Sequence, residues 1–212
     1  MSPAATIREP AVAGQFYPGS AATLRAEVGK LLKTDGTIAP APTQALIVPH
    51  AGYVFSGQTA AKTFLVARAG KYQRAVILAP SHRLPFAGLA AADLAAYRTP
   101  MGESPVDHAA TAAMLAATNG IIKLLPRAHA GEHSLEVELP FLQTLFPELP
   151  IVPLICGRVE PADLAKLSQA LAGWWTADTL WVASSDFTHY GAAFDYPFPS
   201  ARRQNCYPAW IR

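Results

Sequence analysis

Charge and cysteine are both scarce in this sequence. Asp, Glu, Lys and Arg together make up 15% of its 212 residues, while 51% are hydrophobic. That balance excludes a disordered polar chain and leaves ample material for one core. The formal net charge is only +2 and no block of like charge occurs. Neither nucleic acid nor an anionic membrane is therefore expected as a partner. Two cysteines, Cys156 and Cys206, are too few for a disulfide framework. No apolar run is long enough to span a bilayer; Ala87 to Tyr97 is interrupted by Asp93. The first residues, Met1 to Arg8, lack the charged start and apolar stretch of a signal peptide. The cytoplasm is the expected compartment. Both the Walker lysine-serine signature and a dinucleotide-binding fingerprint are missing.

What the chain does have is short apolar runs alternating with helical patterns. Ala45–Val48, Ala75–Leu78, Ile151–Ile155 and Leu180–Ala183 read as buried strands, and Ile121–Leu125 as another. Between them, Ser20 caps a helix with Leu24, Val28, Leu31 and Leu32 on one face. Further helices are expected from Ser56, from Asp107 through Ala117, over His133–Phe146 with a kink or restart at Pro140, and from Pro161 to about Ala172. Continuous rather than alternating apolar strands favour parallel pairing. The expectation is a single α/β domain with a mostly parallel sheet covered by helices on both faces.

The histidines fall at informative places. His50 follows the first strand in Val48-Pro49-His50, and His82 follows the second in Pro80-Ser81-His82. A third strand leads into Asp186, with His189 three residues on. In open α/β sheets ligands bind in the crevice beyond the carboxyl ends of the strands. Any one of these histidines alone is an ordinary loop residue; the set points to a site. The cluster from Glu132 to Glu138 adds His133, which shares a helical face with Glu136. With Glu132, they are candidates for ligands or proton transfer, set against the plainer reading of a solvated acidic helix start. His108 and His129 carry little information. Cys156 reads as a buried small hydrophobe. The Gly52 and Gly57 turn offers helix amides to an anion.

In order, Ala13-Gly14-Gln15-Phe16-Tyr17-Pro18, Val48-Pro49-His50-Ala51-Gly52-Tyr53, Ala79-Pro80-Ser81-His82, Tyr97-Arg98-Thr99-Pro100, Glu132-His133-Ser134-Leu135-Glu136 and Ser184-Ser185-Asp186-Phe187-Thr188-His189-Tyr190-Gly191 make a specific combination. It resembles the Memo-like family, whose fold is similar to the LigB-type extradiol dioxygenases. The resemblance implies a three-layer α/β/α sandwich over residues 1–199 and a divalent metal, iron(II) first, with zinc or copper as alternatives. It assigns His50 and His82 as metal ligands and His133, Asp186 and His189 as catalytic pocket residues. The implied function is a dioxygenase-like oxidoreductase. A non-catalytic adaptor for a peptide or small anion is the alternative, and a zinc hydrolase ranks below both. The partners implied are a small-molecule or peptide ligand and proteins of the AMMECR and radical-SAM types. Residues 200–212 do not resemble the end of the family, where a late cysteine serves as a further ligand; Cys206 is a candidate substitute.

Overall fold

The computed structural model describes residues 6–33 and 38–189. The tail from 200 to 212, with Cys206, lies outside the described residues. The elements run β1 (Ile7–Arg8), α1 (Ala21–Leu31), β2 (Ala45–Val48), α2 (Tyr53–Ala67), β3 (Arg74–Pro80), β4 (Leu89–Ala91), β5 (Ala96–Thr99), β6 (Gly102–Pro105), α3 (His108–Ala117), β7 (Ile122–Leu124), α4 (Leu139–Leu145), β8 (Ile151–Cys156), α5 (Pro161–Leu171) and β9 (Thr179–Ser184).

Six strands form the central sheet in the order β2-β9-β3-β8-β4-β7. The first four run parallel. β4 turns antiparallel to β8, and β7 runs parallel to β4. Strand side chains alternate between faces. Ala75, Ile77 and Ala79 of β3 join the larger core with α1, α2 and α4. Val76 and Leu78 face the smaller core with Met114 of α3 and Leu167 of α5. The result is the expected three-layer α/β/α sandwich. A second sheet, β1-β5-β6, lies outside it.

Local chemistry sets the helix starts. Ser20 accepts a hydrogen bond from the Thr23 amide at 3.2 Å, and Asp107 accepts one from Ala110 at 2.9 Å. Pro161 occupies the first turn of α5. α2 starts at Tyr53, three residues before the expected Ser56, because the Tyr53 amide is taken by the Phe16 carbonyl at 2.7 Å. Gly88 has a φ of +85°, and a Cβ there would lie 2.3 Å from the Ile121 carbonyl oxygen. Only glycine lets β4 lie this close to the chain entering β7.

The expected helix over His133–Phe146 is not one element. Residues Glu136–Glu138 form a 3-10 turn, and α4 covers only Leu139–Leu145. Pro140 sits in the first turn of α4, where its missing N–H costs nothing. Upstream, Glu136 is wholly buried, and its carboxylate is taken by Arg8, the Tyr17 hydroxyl and the amides of Ala11 and Val12 rather than by the histidines. The two do not share a site. Among the described residues, no helix is long and apolar enough to cross a membrane.

Candidate metal centre

The sheet order brings three chain ends together. β2, β9 and β3 are adjacent and parallel, with Val48 opposite Ser184 and Leu78 opposite Ala183. The residues that follow, His50, Asp186 and His82, therefore leave the same edge. The loop before α4 adds His133. Ring centroids are 5.2 Å apart for His50 and His82, 5.7 Å for His50 and His133, and 4.6 Å for His82 and His133. One ligand nitrogen from each lies within 4.8 Å of the others. Phe16 packs against His133 at 4.7 Å.

Each ring is held from behind through Nδ1. His50 Nδ1 lies 2.7 Å from Ser184 Oγ. His82 Nδ1 lies 2.9 Å from Glu132 Oε1, and His133 Nδ1 lies 3.2 Å from the same oxygen. This leaves Nε2 of each ring for an ion, the outer-shell arrangement of metal-ligating histidines, with Asp186 Oδ2 3.7 Å from that of His50. Three imidazoles so arranged suit zinc, iron or copper. The donor set thus fits the metal that the sequence motifs imply.

Glu132 orders much of this centre. Its Oε2 accepts from the His82 amide at 2.6 Å, and its Oε1 from the His133 and Ser134 amides at 3.0 and 3.1 Å. Burial alone would raise its pKa, but hydrogen bonds from His133, His82 and these amides hold it well below the usual carboxylate range. The Glu132 hydrogen bond in turn raises His82. Burial drives His50 down to about 4, against the pull of Asp186, so its ring is neutral at pH 7. Asp186 accepts from the His50 amide at 2.6 Å and lies 3.5 Å from His189 Nε2. The floor at His50 is buried, whereas the His82 side chain is 43% exposed and that of His189 53%. The centre opens on one side.

Behind it lies a buried anchor. Arg8 pairs with Glu136 and donates to the carbonyls of His129 at 3.0 Å and Glu132 at 2.6 Å. Glu136 also accepts from the amides of Ala11 and Val12 and from the Tyr17 hydroxyl. The N-terminal segment is thereby tied to the loop that carries Glu132 and His133.

Comparison with known proteins bears on this arrangement. A family profile described as "Memo-like protein" matches residues 8–206. A MEMO1 family protein of Thermococcus onnurineus is 39% identical over 202 residues, covering 91% of this chain and 69% of the relative. The chain belongs to the Memo-like family. Other MEMO1 family proteins, of Methanopyrus kandleri and Thermoplasma volcanium, are 36% and 32% identical, over 86% and 87% of this chain and 69% and 68% of their own lengths.

In this Memo-like protein all five residues singled out from sequence lie in one neighbourhood. His50 and His82 face one another, His133 completes the cluster, and Asp186 links His50 to His189. Three participants escaped sequence reasoning. Ser184 ends an apolar strand and looked like a strand terminus. Glu138, one acid among several in the sequence, is wholly buried with Oε1 3.0 Å from Ser184 Oγ. His129, set aside as uninformative, is buried, hydrogen-bonded to Tyr97 and to the Ala90 carbonyl, and held down to about 4 by burial. Cys156 is pushed up to about 12 by burial, which suits a packing residue better than a nucleophile.

Proposed function

We propose that this Memo-like protein holds a divalent metal ion between His50, His82 and His133 and serves as a dioxygenase-type oxidoreductase on a small-molecule substrate. The observation that supports it is the cluster of three imidazoles, each backed at Nδ1 and converging within 4.8 Å. Iron(II) is the ion favoured by the family's likeness to extradiol dioxygenases. Bound there, it supplies a Lewis acid with open positions for oxygen and substrate.

The protein's own residues divide the remaining tasks. Glu132 fixes His82 and His133 together. His133 serves as the third ligand, a role its position favours over separate proton transfer. His189, at the open side and within 3.5 Å of Asp186, is the acid/base group, with Asp186 orienting it. Phe16 forms an apolar wall beside His133.

Oxygen uptake by the iron(II)-loaded protein with catechol-type substrates tests the reading. Uptake that disappears in His82→Ala, and falls in His189→Ala with iron retained, supports it. Iron retained with no uptake for any such substrate rejects the dioxygenase assignment. A second reading, hydrolysis at zinc, is favoured by the all-imidazole donor set, which zinc enzymes also use. Zinc rather than iron in protein grown without supplementation would favour it. Peptide or anion binding that survives chelation, without turnover, would favour the adaptor.

A further inference from the structure

The strand end that delivers His82 delivers a second side chain next to it. Ser81 Oγ donates to the Leu84 carbonyl at 2.7 Å, and the Ser81 amide donates to the Cys156 carbonyl at 2.9 Å. The turn is thus tied down, with His82 and Arg83 as its two exposed middle residues.

Most arginines of this protein are engaged. Arg8, Arg25, Arg68, Arg74, Arg98 and Arg158 each hold a carbonyl or a carboxylate. Among the described residues, Arg83 makes no hydrogen bond or ion pair. Arg127 makes none either, but it does not adjoin a histidine of the cluster.

The stem of Arg83 is nevertheless placed. A Cβ on Gly131 would lie 3.4 Å from Arg83 Cδ and 3.7 Å from its Nε. The stem therefore packs on the loop that carries Glu132 and His133, at a residue with no side chain to push it away. Its charge reaches the His82 ring, where it opposes the effect of Glu132. The acids of the centre are committed elsewhere. Glu132 is buried, with both oxygens taken by His82, His133 and Ser134. Asp186 accepts from the His50 amide and lies against His189. An arginine keeps its charge at any working pH, and its planar fork matches a carboxylate through two parallel hydrogen bonds.

The geometry points to Arg83 as a substrate-recognition residue: its free guanidinium, beside His82 and against the His133 loop, takes the carboxylate of a substrate whose reacting end lies at the histidine cluster. The substrate class is then a small molecule bearing a carboxylate, not a neutral ring. The inference deepens the metal reading and rests on it for what happens at the other end of the substrate.

Calorimetric titration of zinc-loaded protein tests it without turnover, because zinc has no redox chemistry. The probes are a catechol carboxylate and its neutral amide counterpart. The wild type should bind the carboxylate roughly 10-fold more tightly than the amide, the scale of one charge-assisted contact. Added salt should shrink that preference, since the contact is exposed. Arg83→Met keeps the stem and removes the charge. It should bring the carboxylate down to the affinity of the amide and leave amide binding and zinc content unchanged. Arg83→Lys keeps the charge without the fork and should fall between the two. Equal affinity for the two probes in the wild type overturns the inference. So does a preference that persists in Arg83→Met, which would come from the metal instead. Failure of the metal reading shows separately, as wild-type protein that takes up no zinc. The two probes are then compared on the metal-free chain, where the absence of a preference likewise overturns the inference.

Discussion

Replacing Arg8 by methionine probes the link between the buried anchor and the centre. The wild-type guanidinium is nearly inaccessible and is satisfied by Glu136 and by the carbonyls of His129 and Glu132. Methionine fills similar space but leaves Glu136 as a buried carboxylate without its countercharge. Breaking a buried pair from one side costs about 3–5 kcal/mol. For a domain of this size each kcal/mol moves Tm by about 2–4 °C, so the expected fall is roughly 6–20 °C by thermal unfolding followed by circular dichroism. Adding Glu136→Gln to Arg8→Met removes the stranded charge and should recover part of the loss, a positive coupling in a double-mutant cycle. The hydrogen bonds that Glu136 accepts from Ala11, Val12 and Tyr17 limit that recovery. Arg8→Met should also weaken metal binding, since the carbonyl of Glu132 loses its clamp. A Tm within about 2 °C of wild type, less than 1 kcal/mol for this size, would refute the role given to the pair.

Other outcomes follow from the same contacts. Glu132→Gln loses the carboxylate that backs both His82 and His133, and zinc affinity should fall at least 10–100-fold, roughly the range for outer-shell partners, as read by chelator competition. Gly88→Ala places a methyl against the Ile121 carbonyl in a backbone conformation that L residues avoid. It should cost roughly 1–3 kcal/mol in urea unfolding. Burial would raise the Asp107 carboxyl, but hydrogen bonds from the Ala110 amide and Arg74 hold it below its ordinary value. Its contribution is therefore full above the unfolded pKa, about 3.9, and is lost as pH falls through the lower folded value. Asp107→Asn should flatten the acid limb of stability against pH; an unchanged limb would contradict that assignment.

The parts of the fold that were legible in the sequence are those where burial is two-sided. β3, β8 and β9 carry continuous apolar runs because helices cover both faces of the sheet there, whereas β2, at the sheet edge, is equally apolar but buried on one face only, with Ile47 54% exposed. β5 and β6 carry Arg98, Gly102, Glu103 and Pro105, and β4 is a leucine with two alanines. Such short strands have no pattern to read, and only tertiary pairing makes them strands. The segment before α4 misled for a related reason. Its helical spacing was real, but Arg8 and Tyr17, more than a hundred residues away in sequence, capture Glu136 and hold the chain in another path.

The site divides in the same way. His50, His82 and Asp186 were legible because each follows directly on a strand, and parallel neighbours deliver their ends to one edge. The convergence of His133 with them depends on a loop position that no local pattern encodes. Glu132 was a candidate beside His133, but its backing of both His82 and His133, like the contact of Ser184 with His50, acts through atoms brought together across the fold, and a lone acid or serine in sequence carries no mark of that.

Metal content of the purified chain tests the central claim most directly. Elemental analysis should find about one divalent ion per chain, as expected for a single site of this ligand set, and next to none in the His50→Ala, His82→Ala, His133→Ala triple variant that remains folded by circular dichroism. The same stoichiometry in both proteins would contradict the account.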